Sequence, residues 1–151
     1  MSTALTTETE PAPVDAVGPL APRVLIVEDQ EVIQEVLVMI FDREGFETTC
    51  VGTVAEALTH LPLLPNFLVL DLHLPDGTGT KVLQRIRDER LPIKVAVTTG
   101  TIDTDLLATA SRLKPDRMFQ KPYGAADLVA WIRSAGCSNG GFDQIMRITK
   151  S

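Results

Sequence analysis

Apolar and polar positions alternate between two textures along this chain. "VLIV" at 24–27, "FLVL" at 67–70 and "KVAV" at 94–97 contain near-continuous apolar runs, the pattern of strands in a parallel sheet covered on both faces. Between such runs, apolar residues recur at helical spacing, first in "EVIQEVLVMIFDREG" from Glu31, where Gly45 is the stop signal. "TTCVG" from Thr48 is a β-branched run that predicts another strand. "TVAEALTHL" predicts a helix opened by Thr53, with Glu56 three residues on as in a capping box. Helices around "GTKVLQRIRDE", "DTDLLATASRL" and "AADLVAWIRSA" and a short strand "RMFQ" complete the series.

Five strands alternating with five helices predict an α/β fold, because right-handed crossovers wind such a chain into a doubly wound five-stranded parallel sheet. Sites in such sheets form beyond the carboxyl ends of the strands, where strand order reverses. Residues 1–22 are rich in Thr, Glu, Ala and Pro with neither period, and a disordered tail is expected there. A single domain is expected over 23–135. A short C-terminal extension, 136–151, begins with a Gly/Ser/Asn break, carries Phe142, Ile145, Met146 and Ile148, and is too short for an output domain.

Composition narrows the functional classes. A chain of 151 residues is long enough for one well-buried core without staples. With 14 Lys and Arg against 20 Asp and Glu the formal charge is −6, and no basic block exists to track a phosphate backbone, so nucleic-acid binding is not expected. Cys50 and Cys137 have no metal-type spacing and read as free thiols of a reducing compartment. No secretory start and no apolar run near the ~18 residues of a membrane span are present. A cytoplasmic protein without membrane association is the expectation.

The strand ends collect the candidate chemistry: Glu28 and Asp29 after the first, Asp71 after the third, Thr98, Thr99 and Gly100 at the fourth, Lys121 and Pro122 after the fifth. Each has an ordinary explanation alone. Glu28 and Asp29 suit a helix start, Asp71 a turn, Thr99 a strand end and Lys121 the surface. If the first and third strands are neighbours, however, three carboxylates converge and repel unless a cation lies between them. An all-oxygen set suits a hard divalent ion, Mg²⁺ above all. Metal, carboxylate nucleophile, hydroxyl and ammonium are the parts phosphoryl transfer requires. His60 and His73 have no acid partner at a telling spacing.

The order Glu28-Asp29, Asp71 with Pro75 and Gly79 following, Thr99-Gly100, then Lys121-Pro122-Tyr123 resembles the receiver domain of two-component response regulators, over about residues 22–135. The resemblance implies a flavodoxin-like architecture and a role for each matching position. Asp71 would accept a phosphoryl group from a phosphohistidine on a histidine kinase or a histidine phosphotransfer protein. Glu28, Asp29, Asp71 and the backbone carbonyl of His73 would hold Mg²⁺. Thr99 and Lys121 would bond the phosphoryl oxygens, with the N–H groups of Leu72 and Gly100 as further donors. The face of the fourth helix, fifth strand and fifth helix would present the change to a downstream protein target.

The family's usual aromatic three positions before the lysine is Met118 here, which weakens the expectation of an aromatic toggle. Phe119 should point to the opposite face. His73 and Thr101 occupy the positions where receivers vary the lifetime of their phosphate. A stand-alone receiver is expected, not an enzyme beyond self-phosphorylation and slow self-dephosphorylation. Two competing readings are an interaction module of receiver fold that works without phosphorylation, and a Mg²⁺-dependent hydrolase with an aspartyl nucleophile. The hydrolase needs a second acid near Asp71, for which Asp76 is the nearby candidate.

Overall fold

The computed structural model describes residues 21–136. The tail expected over 1–22 therefore falls outside the described residues except at Ala21 and Pro22, and the extension over 136–151 except at Gly136. The sheet, the candidate site and the helices as far as Ile132 lie in one compact unit, Pro22–Ile132.

Strand β1 (Arg23–Val27) leads into helix α1 (Glu31–Arg43), then β2 (Glu47–Val51), α2 (Val54–His60) and β3 (Phe67–Asp71). After Asp71 comes a feature the hydrophobic pattern does not announce, a two-residue antiparallel ladder of β4 (His73–Leu74) and β5 (Gly77–Thr78). Helix α3 (Thr80–Asp88), β6 (Lys94–Thr99), α4 (Thr104–Arg112), β7 (Arg117–Gln120) and α5 (Ala125–Gly136) follow. The main sheet is parallel, in the order β2-β1-β3-β6-β7. With five α-helices among the described residues, this is the doubly wound fold expected.

Alternation of side chains across the central strands builds the two halves of the core. Leu25, Val27, Leu68, Leu70, Val95 and Val97 form one cluster with Ala57 of α2, Val82, Leu83 and Ile86 of α3 and Ala110 of α4. The opposite face carries Phe67, which meets Trp131 of α5 edge-on at 6.0 Å. Burial on both faces explains why β1, β3 and β6 read as unbroken apolar runs, whereas the edge strand β2 alternates.

The local signals act as expected, with one change. Gly45 follows α1 at a φ of 91°, and its N–H donates to the Asp42 carbonyl, a conformation that favours glycine. Thr53 Oγ1 accepts from the Glu56 N–H at 3.1 Å. Glu56 Oε1 reaches back to the N–H of Gly52 at 3.0 Å, one residue earlier than the usual reciprocal bond of a capping box.

Candidate functional site

Strand order decides what meets at the carboxyl end of the sheet. Because β1 lies between β2 and β3, the order reverses there, and the register Val27↔Leu70 carries Glu28 and Asp71 to the same level on adjacent strands. Asp71 is also paired with Thr98, and Thr99 with Gln120, the residue before Lys121. Residues from 28 to 121 in sequence thus share one small volume.

One carboxylate oxygen from each of Glu28, Asp29 and Asp71 lies within 4.8 Å of the other two. Glu28 and Asp71 are buried and Asp29 is exposed, so the cluster is anchored in the fold and open on one side. Three hard oxygen donors with an open side suit Mg²⁺, which keeps several waters and takes few protein carboxylates. Lys121 Nζ stands 3.0 Å from Glu28 Oε1 and 3.0 Å from Asp71 Oδ2. The ammonium offsets part of the charge the carboxylates concentrate.

Burial raises the pKa of Glu28 above its ordinary value, although hydrogen bonds from Lys121 and from the Gln30 N–H oppose the shift. For Lys121, burial disfavours the charge, but its hydrogen bonds with Glu28 and Asp71 prevail and its pKa is raised. Tyr123 is pushed up by burial. Cys50 is pushed up to about 11, chiefly by burial, and so stays an unreactive thiol at neutral pH.

Backbone and hydroxyl groups complete the arrangement. Thr99 is buried, its Oγ1 accepts from the Thr101 N–H at 3.0 Å, and its carbonyl accepts from the Lys121 N–H at 2.8 Å. The N–H of Leu72 donates to the Thr98 carbonyl at 3.3 Å, because the chain is still paired with β6 there. It is the next N–H, of His73, that donates to Asp71 Oδ1, at 3.2 Å. Gly79 closes the turn: its N–H donates to the Leu72 carbonyl, and a Cβ there would collide with the Asp71 carbonyl oxygen.

Other candidates lie elsewhere. His60 Nδ1 is 2.9 Å from the Glu56 carbonyl within α2. Asp76, the second acid a hydrolase would need, has its carboxylate at the start of α2, where it accepts from Val54 and Ala55. Met118 packs on the main core cluster. Phe119 lies against Tyr123 at 5.8 Å, on the other face as strand alternation requires. Beside the acidic site, Val32, Ile33, Val36, Pro122 and Tyr123 line a groove of about 440 Å³ that Lys121 also borders. Val32 is 72% exposed there and Val36 42%. The hydrophobic periodicity gave no sign of this groove, since it combines one helix face with a loop far along the chain.

A doubly wound α/β domain with a buried aspartate, two further acids, a threonine and a lysine at its strand ends defines a class of phosphoryl-accepting signalling modules. The model of the response regulator receiver domain matches residues 24–133, and the chain belongs to that family. The sensory transduction protein RegX3 of Mycolicibacterium smegmatis is 35% identical over 112 residues, covering 74% of this chain and 49% of that protein. DNA-binding response regulator MtrA of Mycobacterium tuberculosis is 32% identical over 114 residues, covering 74% and 49%. The chain thus spans about half the length of these curated relatives. A CheY-like receiver domain protein from Methanospirillum hungatei superposes with a TM-score of 0.72 at 27% identity, over 76% of this chain and 93% of that one. Among the described residues no helix is long and apolar enough to cross a membrane.

Proposed function

We propose that this chain is a phosphorylatable switch in which Asp71 takes a phosphoryl group from the phosphohistidine of a histidine kinase or histidine phosphotransfer protein. The carrying observation is the convergence of Glu28, Asp29 and Asp71 within 4.8 Å under the ammonium of Lys121. A carboxylate oxygen of Asp71 attacks phosphorus, the P–N bond of the donor breaks, and the imidazole leaves with its electron pair and takes up a proton. The product is an acyl phosphate on Asp71. Glu28, Asp29, Asp71 and the His73 backbone carbonyl would hold Mg²⁺, whose charge would neutralise the phosphoryl oxygens.

Lys121 keeps the Asp71 carboxylate oriented through Oδ2, while the His73 N–H holds Oδ1. Once the phosphoryl group is in place, Thr99 donates its hydroxyl hydrogen to a phosphoryl oxygen, and Lys121 pairs with another. The added charge then favours a second arrangement of the loop from Thr99 to α4 and of the face of α4, β7 and α5, which a downstream protein target reads. The exposed apolar side chains of Val32 and Val36 beside the site support a protein donor, since such patches mark contact surfaces. The chemistry of the chain itself is confined to phosphorylation and slow dephosphorylation of Asp71.

The test is intact mass after incubation with Mg²⁺ and acetyl phosphate, with Asp71→Asn as control. One added phosphoryl group in the wild type alone is the expected result. Absence of the adduct with both acetyl phosphate and a phosphohistidine donor overturns the reading in favour of a phosphorylation-independent interaction module. Multiple turnover of a phosphoester would instead point to a hydrolase, which the placement of Asp76 at α2 disfavours.

A further inference from the structure

Asp76 sits at the tip of the β4–β5 turn, and its side chain is used 21 and 22 positions away in sequence. Oδ1 accepts from the Val54 N–H at 2.8 Å and Oδ2 from the Ala55 N–H at 3.0 Å. These N–H groups belong to the first turn of α2, which already has its own cap in Thr53 and its own acid in Glu56. Exposed N–H groups at a helix start are ordinarily hydrated or capped locally. Recruiting a residue from another loop does something more, since it fixes that loop.

The fixed parts form a chain of contacts around the acidic cluster. At its base the turn is closed by the Gly79 N–H on the Leu72 carbonyl, and across it His73 pairs with Thr78 and Leu74 with Gly77. At its tip it is held only by Asp76 among the hydrogen bonds described. The segment it is held to begins at Gly52, where a Cβ would stand 3.8 Å from both the Asp29 Cα and the Glu28 carbonyl. Glu28 is itself tied to the residue just before that segment by its N–H on the Val51 carbonyl at 3.0 Å. The carboxylate thus links the loop that follows Asp71 to the loop that carries Glu28 and Asp29, by way of α2.

We propose that Asp76 is a positioning residue for the cation site: it clamps the His73 turn to the start of α2, and so holds both metal-binding loops in register before an ion arrives. This rests on the reading of Glu28, Asp29, Asp71 and the His73 carbonyl as a Mg²⁺ site. A preorganised site binds more tightly because the ion does not have to order its loops. Supporting partners outside the ligand shell typically carry a 10–100-fold share of metal affinity, and Asp76 acts one step further out. Its carboxyl is kept ionised by the Val54 and Ala55 N–H groups, which hold its pKa below the usual range.

Calorimetric titration of the EDTA-stripped full chain with Mg²⁺ alone tests this without any phosphoryl transfer. Asp76→Ala is expected to weaken Mg²⁺ binding by about tenfold. Thr53→Ala, which removes a cap from the same helix but leaves the turn clamped, should lower the melting temperature and bind Mg²⁺ as the wild type does. Asp76→Asn keeps an acceptor oxygen and should fall between wild type and Asp76→Ala, and it serves if the alanine variant fails to fold. Unchanged affinity in the Asp76 variants, or equal losses in Thr53→Ala, overturns the positioning role and leaves Asp76 as a helix cap. A wild type that binds no Mg²⁺ overturns the metal-site reading itself.

Discussion

Lys121 Nζ lies 3.0 Å from Asp71 Oδ2, across 50 positions of sequence, in a pair whose side chains are 21% and 7% exposed. The same ammonium reaches Glu28 Oε1 at 3.0 Å. One cation thus holds two buried carboxylates that would otherwise repel each other. Removing one partner of a buried pair leaves an uncompensated charge. Lys121→Met is expected to lose about 2 kcal/mol at neutral pH, less than for a wholly buried pair because the ammonium retains some water. Urea unfolding should show the loss, and added Mg²⁺ should recover part of it in the variant.

Glu28 gives the stability a pH dependence. Its folded pKa is raised above the ordinary 4.5, chiefly by burial, so the folded state holds this proton more tightly than the unfolded chain. Stability from this group is then complete below 4.5 and declines as pH rises through the folded value. In EDTA, Glu28→Gln should lessen that decline, and urea midpoints taken from roughly pH 4 to 7 will show whether it does. Lys121, whose pKa is raised, behaves as a base: its contribution is present below 10.5 and is lost as pH climbs through its folded value.

Gly79 has no room for a side chain. A Cβ would collide with the Asp71 carbonyl and stand 3.1 Å from Leu70 Cγ, and neither the strand nor the core can yield cheaply. Gly79→Ala is expected to cost on the order of 2 kcal/mol in urea unfolding. Displacement of the Asp71 main chain should also slow phosphorylation by acetyl phosphate, followed by intact mass.

Phosphate lifetime should depend on two residues flanking the site. His73 is exposed beside Asp71, and Thr101 Oγ1 accepts from the Asp103 N–H at 3.0 Å while the Thr101 N–H is bound to Thr99. On the proposed function, these are the positions whose side chains would control the access of water to a phosphoryl group on Asp71. His73→Ala and Thr101→Ala are expected to shorten the lifetime a few-fold, a barrier change of about 1 kcal/mol or less. Decay at the wild-type rate in both variants would refute the shielding role.

Sequence alone determined the elements and placed Asp71, the carboxylate of the proposed function, at the end of a buried strand. Apolar runs mark β1, β3 and β6 because burial on both faces leaves no polar position, and Thr53 and Gly45 mark helix ends because capping and a positive φ are local requirements. The acids, threonine and lysine at strand ends were legible for the same reason: a strand's end is defined by its own residues.

Only the tertiary structure decided distances. The order β2-β1-β3-β6-β7 and its register bring Glu28 level with Asp71, and the ammonium of Lys121 bridges both acids. No pattern in "LPDGTG" shows that Asp76 binds the start of α2 rather than assisting Asp71, or that the N–H facing Asp71 is that of His73 rather than Leu72. Hydrophobic periodicity records which face of an element is buried. It carries no information about which distant backbone group a polar side chain meets, because that depends on how the crossovers set one loop against another.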